Sequence, residues 1–559
     1  MKKQAALFSL LLLLVSCTAP LSSLSSETSD SFLASLSPES SVTDFTFQDG
    51  ELTENLIDDN YRSFYQIFVG SYADSNGDHL GDLNGIDQKL GYLHDIGYTG
   101  IWLSPIYSSL SYHKYDTNDY FKVDSGFGTN DDLKKLVQDA HALGIKVILD
   151  IALNHSGYNN PWFASALLAH IKKLKGDTLS EDEQNFDSLY VFYDTLEAAK
   201  ASGSVYSKAG GNDFYYECNF SSDMPEFNFD SAFTYAKMKE ILSFWMDLGV
   251  DGYRLDAVKY YYLNQTAKNL TVLNAFAADV KEKNPQGYLV GECWDSSSVI
   301  SDYYGSDIDS FFYFPGSQPN GYIAYSMGGF DGSSKDVYLR GETKMISAAK
   351  SHIPAPFLDN HDMPRMTKAK DSQMTKFQLG LRDFLTGAVY NYYGDETGLS
   401  SANNPGGDYA DSNYRCHYCW DDTTHAMECY DPQYANPQTE YYPAAMTQLT
   451  DENSVLSYET KALKIRNAYP AISHGSVASG DDARNDDDSD PLLILDKTYD
   501  GKTVRLVYNF SLSVSSAYSV PDSYTPKAVL LSDTAAKATY QDHALTLPPY
   551  AIAVLEPSR

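Results

Sequence analysis

Residues 131–155 read DDLKKLVQDAHALGIKVILDIALNH. The first part, Asp131–Leu143, carries its apolar residues at helical spacing. The second, Lys146–Leu153, is a short apolar run of the kind a buried strand uses, and it ends on Asn154-His155. This alternation recurs on both sides. Apolar runs stand at Phe64–Gly70, Gly100–Pro105, Lys146–Leu153, Gly249–Leu255, Tyr288–Glu292, Asp309–Phe314, Pro354–Leu358 and Ala388–Tyr393. Helix-period segments such as Ala232–Leu248 separate several of them. Strands alternating with helices predict parallel βαβ units. Eight such units predict an α/β fold, the (β/α)8 TIM barrel.

Working outward, the barrel is expected over 56–155 and 231–470. The excess between the third and fourth runs, 156–230, reads as an inserted subdomain over the barrel mouth. It is turn-rich and aromatic, as in Gly210–Tyr216. Residues 471–559 change pattern. Pro491–Leu495, Thr503–Asn509, Lys527–Leu531 and Ala551–Leu555 are β-type runs between polar turns, which predicts a C-terminal antiparallel β-sandwich domain.

The first 16 residues, MKKQAALFSLLLLLVS, are an address. Lys2 and Lys3 precede an apolar run too short for a hydrocarbon core of about 30 Å. The run stops at Leu14-Val15-Ser16-Cys17, which resembles a bacterial lipobox with Cys17 as the lipidated residue. Residues 17–55 read as a Ser-rich tether. The expectation is export, with a lipid anchor in the bacterial cell membrane or outer membrane and the folded part outside the cytoplasm. The anchor is then the only membrane contact. Five further cysteines follow: Cys218, Cys293, Cys416, Cys419 and Cys429. A loop disulfide among the last three is the simplest reading, its connectivity open.

Lys and Arg number 41 against 75 Asp and Glu, a formal charge of −34 in 559 residues. Such a surface repels polyphosphate and excludes a nucleic-acid partner; it suits a neutral substrate and hard cations. The 45 tyrosines offer platforms for sugar rings. A monomer is expected.

Barrel enzymes carry their chemistry at the C-terminal ends of strands. Here those ends supply Asp256, Glu292 and Asp362, with Arg254, His155 and His361 beside them. Glycoside hydrolysis needs one neutral and one ionised carboxyl flanking the bond. Arg254 would hold a neighbouring carboxylate ionised, and the apolar run before Glu292 would raise its pKa toward that of a general acid. A separate segment, Asp74-Ser-Asn-Gly-Asp-His-Leu-Gly-Asp82, places oxygen side chains at every second residue, the way a loop wraps Ca2+.

The segments DIALNH (150–155), GYRLDAVKY (252–260), GE (291–292) and FLDNHD (357–362) together resemble the α-amylase family, glycoside hydrolase family 13. MPEFN (224–228) is similar to the family's fifth motif, and HKYD (113–116) to the segment whose Tyr stacks on the reacting sugar. The resemblance covers about residues 60–559. It implies Asp256 as nucleophile, Glu292 as general acid/base and Asp362 as the group favouring the distorted, oxocarbenium-like sugar. It implies that Arg254 orients Asp256, that His155 and His361 bind hydroxyls, that Tyr115 stacks, and that Lys259 reaches a sugar on the leaving-group side. Asp116 and Arg415 resemble a pair that closes the pocket of exo-acting relatives. The loop Asp74, Asn76, Asp78, Leu80 and Asp82 resembles a calcium site, with Leu80 giving its carbonyl. The implied activity is retaining cleavage of internal α-1,4 bonds in starch-like glucans. The alternative is an exo-acting α-glucosidase or transglycosylase on short oligosaccharides.

Overall fold

Eight parallel strands form one sheet: β1 Ser63–Ile67, β2 Gly100–Leu103, β3 Lys146–Ile151, β4 Gly252–Leu255, β5 Tyr288–Gly291, β6 Ser310–Phe312, β7 Ile353–Ala355 and β8 Val389–Tyr392. Each pairs with its neighbour in sequence from β1 through β7, and β8 pairs with β1. A parallel bridge between Phe357 and Tyr390 and the bond from Ala388 N to Pro354 O (2.8 Å) close the ring. The computed structural model describes residues 55–317, 321–326, 333–367, 371–401, 411–421, 442–533 and 535–558. The leader, Cys17, the tether as far as residue 54 and Cys429 lie outside the described residues. Among the described residues no helix is long and apolar enough to cross a membrane.

The strands are apolar on both faces, which is why they read as unbroken runs. Inside the barrel, Phe64, Trp102, Ile148, Tyr288, Phe312 and Tyr390 fill the bore. The outward residues of β3, Val147, Leu149 and Ile151, meet the helices. Helix Asn130–Ala142 begins in a capping box, Thr129 against Asp132, and buries Leu133, Leu136, Val137 and Ala140. Close packing of β4 on β5 demands Gly252, where a Cβ would lie 1.8 Å from the Tyr288 carbonyl oxygen.

Between β3 and β4 the chain makes helices Pro161–Leu174, Glu181–Leu189 and Leu196–Ser202 and a three-stranded antiparallel sheet. A bridge from His155 to Glu226 ties this insert back to the end of β3. A hairpin, Tyr107–Ser109 with Thr117–Val123, rises after β2 and carries the 113–116 segment in its loop. The sequence reading did not anticipate it, because polar residues interrupt its strands.

The C-terminal strands are β9 Ser476–Ser479, β10 Leu492–Tyr499, β11 Lys502–Asn509, β12 Ser516–Ser519, β13 Tyr524–Leu530, β14 Thr539–Gln541, β15 Ala544–Leu547 and β16 Ile552–Pro557. They form two antiparallel sheets, β9-β10-β11-β16-β13 and β12-β15-β14. Leu492 and Ile494 face the sandwich core, whereas Leu493 and Leu495 join the main core. The larger sheet is thus covered on both faces.

Candidate active site

Arg254, on β4, is fully buried and organises the barrel mouth. Its Nη1 donates to Asp150 Oδ1 (2.8 Å) and to Asp256 Oδ1 (2.6 Å), and its Nη2 reaches Glu292 Oε1 at 3.1 Å. One guanidinium therefore holds the carboxyls from the ends of β4 and β5 and a third from within β3. The backbone N–H of Ala257 donates to the other oxygen of Glu292 (2.9 Å). Burial raises the Glu292 carboxyl to about 8 against the pull of Arg254, with Asp256 and Asp362 adding to the rise. Burial also raises Asp256, opposed by Arg254 and by a hydrogen bond from Glu292.

Asp150 was not among the residues the sequence analysis selected for the site. It is completely buried and accepts from Trp102 Nε1 (3.1 Å) and Tyr115 Oη (2.9 Å) as well as Arg254. Burial lifts it to about 7. The signal was present: a carboxylate inside an apolar strand is costly unless paired.

Asp362 and His361 follow β7. His361 stacks on Tyr115, with centroids 5.7 Å apart and planes at 10°. Gln66 Nε2 donates to its Nδ1 (2.7 Å), so Nε2 bears the proton and points at Tyr115 Oη (2.6 Å) and Asp362 Oδ2 (3.2 Å). Burial pushes His361 down to about 3, which keeps the ring neutral. Burial pushes the Asp362 carboxyl up, but His361, Arg415 and Arg254 together hold it below the usual range. His155 packs against Phe220 (5.1 Å). Neither of its ring nitrogens makes a protein hydrogen bond of good geometry, and burial lowers it to about 4.

These groups border one cavity of about 530 Å³, to which Tyr115, His155, Asp256, Glu292, Asp362 and Arg415 all contribute. Phe220 and Met224 of the insert complete the wall.

One expectation is corrected. Asp116 and Arg415 do not pair. The Asp116 carboxylate accepts from the hydroxyls of Ser109 and Ser111 and is absent from the cavity wall. Arg415 instead bonds Asp362 Oδ1 (2.8 Å), Asp411 Oδ2 (3.0 Å) and the Tyr112 hydroxyl (2.9 Å). Two nearby hydroxyls satisfy the Asp116 carboxylate locally, while Asp411 lies one helical turn from Arg415. Lys259 borders the cavity; its ammonium donates to the Trp294 carbonyl (2.7 Å) and to Asp295 (2.9 Å), which leaves its third N–H for a ligand.

The 74–82 loop lies apart, between β1 and helix Leu83–Gln88. Asp74 accepts from the N–H groups of Asn76, Gly77 and His79; Asn76 accepts from Asp78, and Asp78 from Leu80. Asp82 caps the helix through Gly85 N (2.7 Å) and accepts from Ser75. Among the described residues no three acidic, His or Cys side chains converge as a ready metal cluster. The hard-oxygen donors of the loop fit Ca2+ in kind, and each keeps lone pairs to spare.

The profile of the alpha amylase catalytic domain matches residues 66–475. Alpha-amylase 3 of Dictyoglomus thermophilum is 34% identical over 424 residues, covering 74% of this chain and 78% of its own. Maltase A2 of Drosophila melanogaster is 28% identical over 391 residues, 61% of this chain and 66% of its own. Among solved structures, Eubacterium rectale Amy13B superposes with a TM-score of 0.81 at 32% identity, over 90% of this chain and 97% of that one.

Proposed function

Because the chain belongs to the α-amylase family, glycoside hydrolase family 13, we propose that it cleaves internal α-1,4-glucosidic bonds of starch-like glucans and maltooligosaccharides with retention of configuration. The observation that carries this reading is the Arg254 guanidinium shared by Asp256 and Glu292. Asp256, bonded at 2.6 Å, keeps its charge and attacks the anomeric carbon. Glu292, with its pKa near 8, is protonated at neutral pH and gives its proton to the leaving oxygen. The resulting carboxylate then takes a proton from the water that releases the glycosyl-enzyme. Asp362, held ionised by Arg415, offsets the positive charge that develops on the ring in between. Inversion requires carboxyls about 6.5–9.5 Å apart with a water between them. Two groups sharing one guanidinium favour the closer, retaining arrangement.

Endo action draws support from relatives named alpha-amylase at 34% identity and, among solved structures, at 27%. A second reading, exo action or transfer on short oligosaccharides, is favoured by Arg415. Its bonds to Asp362, Asp411 and Tyr112 draw three segments together beside the cavity. A product time course on long amylose decides between them. Mixed maltooligosaccharides appear early under the first reading; a single short sugar from the start supports the second. Asp256→Asn abolishes activity under both, and unchanged activity contradicts both.

Ca2+ is the cation this reading assigns to Asp74, Asn76, Asp78, Asp82 and the Leu80 carbonyl. Binding requires the loop to draw its three carboxylates together. Its role is to brace the segment after β1, and no catalytic step passes through it. Chelation is expected to lower Tm, with recovery on adding Ca2+; a Tm indifferent to both contradicts the assignment.

A further inference from the structure

Asp359 and Asp395 are buried carboxyls that the reaction above does not use. Asp359 follows β7, and its side chain accepts from the backbone N–H of Met366, seven residues on. The stretch 359–366 is thereby closed into a loop with His361 and Asp362 inside it. Asp395 opens the short turn Asp395–Thr397 after β8. Its Oδ1 faces Arg365 Nη1 at 3.3 Å, and the same nitrogen donates to the Tyr393 carbonyl (2.6 Å). The Arg365 guanidinium lies over the rings of Tyr392 (4.2 Å) and Tyr393 (4.7 Å). These side chains fasten the loop that bears Asp362 to the loop after β8.

Each carboxyl keeps one oxygen without a donor. Asp359 Oδ1 and Asp395 Oδ2 are buried, and no N–H or O–H of the described residues reaches either. What they meet is each other, for the two side chains are in hydrogen-bonding contact. Two carboxylates are both acceptors, so the contact requires a proton on one of them. Charge leads to the same point. Arg365 is the cation in contact with the pair, and a second negative charge beside it would stand uncompensated in the interior. Arg382, the next cation, is already bonded to Asp383 and Glu459. Tyr392, Tyr393 and Cys416 surround Arg365 on its other sides and bring no positive charge. Burial raises both carboxyls, and Asp359 adds to the rise of Asp395.

We propose that Asp359 and Asp395 share one proton, and that this buried acid pair holds the base of the 359–366 loop against the turn after β8. Neither residue borders the active-site cavity. Both are positioning residues, which set where Asp362 and His361 stand. The kinetic consequence rests on the role given to Asp362 above; the shared proton does not.

Infrared spectra of the full chain in detergent, with isotope-labelled aspartate, test the proton. At neutral pH the difference between the parent and Asp395→Asn is expected to show a carboxylic-acid carbonyl band lost from the parent, because the amide now supplies the donor and Asp359 becomes a carboxylate. Absence of that band overturns the shared proton. Kinetics on maltotetraose test the positioning. Asp395→Asn accepts from Arg365 and donates to Asp359, so kcat is expected to stay within about twofold of the parent. Asp395→Leu leaves the Asp359 charge without a donor and is expected to lower kcat by about 10- to 100-fold, with KM changed far less. Asp395→Ala carries the same expectation where the leucine variant does not fold. Equal losses in the asparagine and apolar variants overturn the shared proton, and an unchanged kcat in the apolar variants overturns the positioning role. A parent inactive on maltotetraose overturns the reading of the active site instead, and the infrared band still decides the proton.

Discussion

Burial raises the three carboxyls that share Arg254, and the guanidinium opposes that rise in each. Glu292, near 8, must be protonated to act, so kcat/KM is expected to fall as pH rises through about 8. On the acid side activity falls as Asp256 protonates. A pH–rate profile checks both limbs, and an alkaline limb at ordinary carboxylate pKa contradicts the assignment of Glu292 as acid. Asp150 is buried and does not border the cavity; it positions Arg254, Tyr115 and Trp102. Asp150→Asn keeps the shape but removes the charge, and is expected to lower kcat by about 10- to 100-fold with a smaller change in KM. Steady-state kinetics on a soluble oligosaccharide measures the split. The sequence exposed Asp256, Glu292 and Asp362 because each follows an apolar run. Asp150 was hidden within such a run. Tyr112 was hidden because Arg415 reaches it through tertiary folding that no spacing encodes, whereas Asp411, four residues before Arg415, was within reach of a local reading; the Ser109 and Ser111 hydroxyls had already claimed Asp116.

At the scale of elements, the barrel strands were legible because parallel strands buried on both faces leave continuous apolar runs. The hairpin 107–123 was not, since only every third residue of Thr117–Val123 is buried and the strand lacks such a run. Close approach of β4 to β5 places the two chemistry-bearing strand ends side by side, and Gly252 is what permits it. Gly252→Ala is expected to destabilise the fold by about 4 kcal/mol or more, because a backbone carbonyl cannot yield as a side chain can. Thermal unfolding measures this; a Tm within a few degrees of the parent contradicts the packing argument.

For the whole molecule, a buried ion pair fastens the C-terminal sheet to the barrel. Lys497 of β10 donates to Glu342 on helix Ser333–Ala349 (2.6 Å), both side chains being wholly buried. The ammonium also bonds the carbonyls of Phe384 (2.5 Å) and Ile472 (3.2 Å). Lys497→Met leaves the Glu342 charge buried alone and is expected to cost about 3–5 kcal/mol, whereas adding Glu342→Leu restores much of the loss. A double-mutant cycle in denaturant checks the pair, and additive losses contradict it. At the other end, the proposed lipid on Cys17 predicts that the full chain partitions with membranes and that Cys17→Ala releases it to the soluble fraction. Membrane fractionation of both forms decides.

The central claim is that Asp256 and Glu292 work as a retaining pair across one guanidinium. Following the anomeric configuration of the newly released reducing end by NMR, before mutarotation, tests it most directly. The account predicts the α-anomer as first product. The β-anomer would mean a single displacement by water and would contradict Asp256 as nucleophile.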